Sequence, residues 1–66
     1  MANFTAHSVE ITSLAFFTLV GNVVLTPFES VDTENYLQRF YRVKGCVIFT
    51  HISGGAMQYF IADINA

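Results

Sequence analysis

Between Glu10 and Glu29 the chain carries no charged residue, and this run, Ile11–Phe28, occupies more than a quarter of its 66 residues. It has three ways to fold: a membrane span, a buried helix, or two strands turned back on each other. A span needs about 20 predominantly apolar residues. Here the run is shorter and includes Thr12, Ser13, Thr18, Asn22, Thr26 and Pro27, with no Lys or Arg flank at either end. Asn22 would sit near the bilayer centre, so no membrane role is expected.

The helical reading has Ser8 as N-cap, Glu10 in the first turn and Gly21 as the C-terminal stop. Against it, the residues between are rich in Ile, Thr, Phe and Val, which favour strands. Gly21-Asn22 is also a two-residue hairpin signal between "SLAFFTLV" and "VVLTPFES". Pairing about it sets Val20 against Val23 and Thr18 against Leu25, with Pro27 at a strand end where its missing N–H is tolerated. The hairpin is the preferred reading. "FTAHSVEI" either extends the first strand or pairs separately.

"VDTENYLQRFYRVKG" reads as a helix over Thr33–Val43. Asp32 or Ser30 serves as N-cap, Asp32 and Glu34 lie at its start, and Arg39, Arg42 and Lys44 at its end, which complements the dipole. Gly45 is the expected stop. Tyr36, Leu37, Phe40 and Val43 form an apolar stripe at helical spacing. Farther on, Gly54-Gly55 predicts a second hairpin. It pairs Ile52 with Met57, Thr50 with Tyr59 and Ile48 with Ile61 on one face, and His51 with Gln58, Phe49 with Phe60 and Val47 with Ala62 on the other.

The expected fold is therefore α+β in the order ββαββ: an antiparallel sheet of about four strands packed on one amphipathic helix, all within one small domain, 1–66. A domain of this size removes only about 60% of its unfolded surface from water. Yet 53% of its residues are hydrophobic and only 12% charged, against a usual charged share of about 25%. Apolar residues fall on both faces of the expected strands, and one helix shelters one face. The segment Asn3–Thr12, a second copy or another protein would have to shelter part of the second.

Catalytic candidates are few. Cys46 and His51 differ by an odd number of positions on one strand and so point to opposite faces. A Cys–His nucleophile needs them within hydrogen-bond reach. No two of Cys46, His7 and His51 have metal-ligand spacing, and Glu10, Glu29, Asp32, Glu34 and Asp63 form no marked carboxylate pair. "SGGA" lacks the following helix that a phosphate loop requires. The expectation is no enzyme, metal or cofactor.

What remains is a protein–protein interaction module: a homodimer, a small stoichiometric inhibitor or adaptor of another protein, or both. Phages and other mobile elements encode small regulators of this size and simplicity, an analogy of architecture alone. Phe49, Tyr59, Phe60, His51 and Gln58 are the candidate partner-binding residues, on an apolar sheet face or edge strand. The alternative is a nucleic-acid-associated regulator, which would have to use Arg39, Arg42 and Lys44, the three cations of a chain with net charge −2. A single cysteine and the absence of a basic, apolar leader favour the cytoplasm.

Overall fold

A computed structural model of the chain describes residues 7–62. Its elements follow the order β1 (Ser8–Ile11), α1 (Ser13–Val20), β2 (Glu29–Asp32), β3 (Leu37–Val43), β4 (Cys46–Ser53) and β5 (Ala56–Ala62). The five strands form one antiparallel sheet in the order β1-β5-β4-β3-β2. The α+β class holds. The ββαββ order with four strands does not: the helix comes second and the sheet has five strands.

Two segments exchange the roles expected of them. Ser13–Val20 is a helix, not the first arm of a hairpin. Thr12 caps it, its Oγ1 accepting from the Ala15 N–H at 3.1 Å. Gly21 ends it at φ 62°, donating its N–H to the Phe17 carbonyl at 2.9 Å. Phe16, Leu19 and Val20 then share one side, which packs on Tyr41, Val43 and Ile48 of the sheet. This burial outweighs strand propensities spanning only about 1 kcal/mol per residue.

Conversely, Thr33–Val43 is no helix. Thr33 to Tyr36 make a tight loop in which Thr33 Oγ1 accepts from the Asn35 and Tyr36 N–H groups, at 3.2 and 3.1 Å. Leu37–Val43 then runs as β3. Its successive residues Phe40 and Tyr41 are 4% and 9% exposed. A strand covered on both sides buries neighbours in this way, whereas one stripe of an amphipathic helix does not. The spacing of Tyr36, Leu37, Phe40 and Val43 suited both structures.

Gly45 closes no helix either. Lys44 and Gly45, at φ 52° and 79°, form a turn with both central residues at positive φ, and Gly54-Gly55 repeats it at 58° and 82°. That type I′ twist matches the strands on either side. The β4–β5 register agrees with the sequence reading at every pair named above. Segment Ser8–Ile11 pairs separately, with β5. Residues 3–6 of the proposed N-terminal cover, and Asp63, lie outside the described residues.

The sheet thus has a helix side and a far side. The helix side collects Phe16, Val20, Tyr41, Val43 and Ile48, with Ile11, Leu19, Leu25, Tyr59 and Ile61 packed around them. The far side collects Phe40, Val47, Phe49 and Ala62, with Val31 and Phe60. An eight-residue helix is about 12 Å long, while eight-residue β4 spans about 26 Å. The helix covers only part of its side.

Candidate functional site: two surfaces of the sheet

Four of the five candidate partner-binding residues come together on the far side. Register places Glu29, Phe40, Phe49, Phe60 and Glu10 in one row across all five strands. The ring centroids of Phe40 and Phe49 lie 4.9 Å apart, and those of Phe49 and Phe60 4.8 Å apart at an interplanar angle of 12°. Phe49 and Phe60 are thus stacked, while Phe40 is tilted against Phe49 by 33°. Gln38, His51 and Gln58 make the adjoining row. Tyr36 stacks on His51 at 4.9 Å, and Gln58 Nε2 donates to Glu10 Oε2 at 3.4 Å.

Between these rows lies a shallow depression of about 180 Å³ lined by Ser8, Gln38, Phe49, His51, Gln58 and Phe60. Its rings are floor, not projecting anchors: Phe49 is 2% exposed. A ring buried to that extent, with neighbours on both sides, offers no free face on which a nucleobase could stack. Sequence alone does not single out Gln38, because a helix over Thr33–Val43 leaves it off the apolar stripe of Tyr36, Leu37, Phe40 and Val43.

Tyr59 stands apart from the other four, on the helix side. Its hydroxyl donates to Met57 Sδ at 3.2 Å, and its ring meets Phe16 and Phe17 at centroid distances of 4.7 and 5.7 Å. Around it the surface is apolar and open. Leu14, Phe17 and Met57 are 75%, 57% and 46% exposed, and Val23 and Val24 just past the helix are also exposed. Leu14, Phe17, Thr18 and Gly21 follow one another at i, i+3, i+4 and i+7, the spacing of one helical side. The Val23 N–H donates to the Val20 carbonyl at 3.3 Å and holds the chain at the helix end.

Pairing the run into a hairpin concealed this ridge. A signal was nonetheless present: Thr12 three residues before Ala15, and Gly21 at the end of an eight-residue run without charge. The expected surplus of apolar surface therefore sits mainly in the helix layer, while the greasiest strand residues are buried.

The three cations diverge. Arg39 and Arg42 are an odd number of positions apart on β3 and point to opposite sides. The Arg42 guanidinium lies over the Phe28 ring at 4.9 Å, and Lys44 sits in the turn. Cys46 and His51, both on β4, likewise face opposite sides. Among the described residues no three His, Cys, Asp or Glu gather into a metal-holding group, and no helix is long and apolar enough to cross a membrane. No family model, curated protein or solved structure matches the chain.

Proposed function

We propose that this chain is a non-enzymatic protein–protein interaction module, working as a homodimer, as a small stoichiometric inhibitor or adaptor of another protein, or as both. One observation carries the reading: α1 has no charged residue, packs Phe16 and Val20 inward, and turns Leu14 and Phe17 outward. A helix apolar on both sides belongs between two layers, and the described residues supply one. The far-side depression, with its stacked rings and amide side chains, is a secondary contact surface.

Protein is favoured over nucleic acid as the partner class because the cations diverge and net charge is −2. The lone Cys46 fits a reducing compartment, and we place the protein in the cytoplasm on that ground. The test compares wild type with Phe17→Glu for self-association by light scattering and for capture of host proteins. Association or capture that the substitution removes supports the reading. A wild-type monomer that captures nothing, or captures the same proteins as Phe17→Glu, ends it. A mobility shift with DNA or RNA at low salt would put the nucleic-acid reading in its place.

A further inference from the structure

Five large apolar side chains remain exposed on α1, just past its end or beside it, Leu14, Phe17, Val23, Val24 and Met57, and Val9 on edge strand β1 is a sixth on the same side of the sheet. Four belong to the uncharged run Ile11–Phe28, two on α1 and two just past its end. Leu14 and Phe17 are neighbours one turn apart. Phe17 meets Tyr59, and Tyr59 meets Met57. At the opposite end of the helix the Val23–Val20 bond keeps Val23 and Val24 close to it.

We propose that a second copy of this chain covers this layer, α1 lying against α1 of the partner about a two-fold axis, so that two sheets enclose two helices. The proposal rests on the interaction reading above and names its partner.

Two arguments select a second copy. The first is area. Side chains of this size at these exposures present on the order of 100 Å² each, so five give about 500 Å². With Ser13, Thr18 and Tyr59 among them, the layer approaches the ~800 Å² per partner of a standard interface. A two-fold contact buries the same patch on both copies, so the surplus on one chain matches that on the other. The second is charge. The protein is acidic overall, and like-charged copies repel wherever their carboxylates meet. Asp32 lies on the helix side, in Met57's row but three strands away on edge strand β2, and α1 itself carries no carboxylate; Glu10 and Glu29 flank the uncharged run in sequence, and register places both in the far-side row. Copies approaching through α1 keep those carboxylates on the outer faces of the assembly, and no ion pair is needed to set the register.

Sedimentation equilibrium of the wild-type chain tests this, beside Phe17→Glu and Thr18→Arg. Thr18 is an exposed helix residue on the same ridge, so its substitution removes no core packing and remains informative if Phe17→Glu fails to fold. The expected result is a wild-type mass double that of one chain at about 100 µM. Both variants should be monomeric there, with unchanged far-ultraviolet circular dichroism. In a mixed sample of isotope-labelled and unlabelled chains, contacts between Phe17 of one copy and Leu14 of the other should appear. A dimer that survives Thr18→Arg overturns the inference and leaves the broader reading standing, since the copies would then meet elsewhere. A monomeric wild type also overturns it. The broader reading then depends on whether Phe17→Glu abolishes capture of a different protein.

Discussion

The two sides of the sheet dispose of the same kind of side chain in opposite ways. On the far side, aromatic residues sit on adjacent strands at one register, so each ring covers the next. Phe40, Phe49 and Phe60 become a row of packed rings in which Phe40 and Phe49 are buried and Phe60 is half-buried. On the helix side, Phe16 points in and Phe17 points out, because consecutive helical residues are about 100° apart. One ring is buried and its neighbour is left in water, with their planes nearly perpendicular at a centroid distance of 5.5 Å. Stacking across strands is a closed solution. A short helix with apolar residues on both its inner and outer sides is an open one, and it leaves Leu14 and Phe17 in water.

The comparison makes stability and association separable. The largest effect expected is from Phe49→Ala, which empties the centre of the far-side row. Removing a buried Phe costs about 3–5 kcal/mol, comparable with the whole stability of a domain this small. Urea denaturation should find the variant largely unfolded, and a loss below 1 kcal/mol would mean the row is not a core. Next comes Leu14→Glu on the open side. It should weaken self-association at least tenfold, about 1.4 kcal/mol, while the urea midpoint, measured where the wild type is monomeric, stays nearly unchanged. If instead both variants moved stability equally, the two sides would not differ in kind.

Smaller effects sharpen the account of how the helix side is held. Thr12→Ala removes the N-cap of α1 and should cost about 1 kcal/mol. Since the helix carries the exposed ridge, the same variant should also weaken association, which Thr12→Ser should preserve. The smallest effect is at the Lys44-Gly45 turn. Lys44 holds φ 52°, a conformation that disfavours most side chains by about 1–2 kcal/mol and Asn by less. Lys44→Asn should therefore raise thermal stability slightly, by about 0.5 kcal/mol, with association unaffected.

Parts of this molecule were legible in its residues and parts were not. Gly54-Gly55 flanked by "CVIFTHIS" and "AMQYFIA" specified a hairpin and its register, because two glycines suit a turn that needs positive φ twice and the strand period then follows. That register also brought His51 to Gln58 and Phe49 to Phe60, four of the six residues that line the far-side depression. Ser8 from β1 and Gln38, from a strand that carried the marks of a helix, completed it. The acidic residues before Tyr36 and the cations after it are an arrangement that a helix dipole favours by only a few tenths to 1 kcal/mol at an exposed terminus. Burial on both sides of β3 outweighed it. Phe17 and Leu14 were hidden for the converse reason, lying in a segment rich in strand-forming residues that is recruited into a helix.

By itself the sequence determined the Gly54-Gly55 turn, the uncharged run and the excess of apolar side chains over charge, because these depend on residue type and short-range geometry. Which of two apolar segments would lie within the sheet and which across it was decided only in the tertiary structure. Both segments can bury a face in either form, and local preferences separate the forms by little. The deciding difference arises when β3 is enclosed between β2 and β4 and Thr12–Gly21 is laid over it, a cooperative burial that no single segment contains.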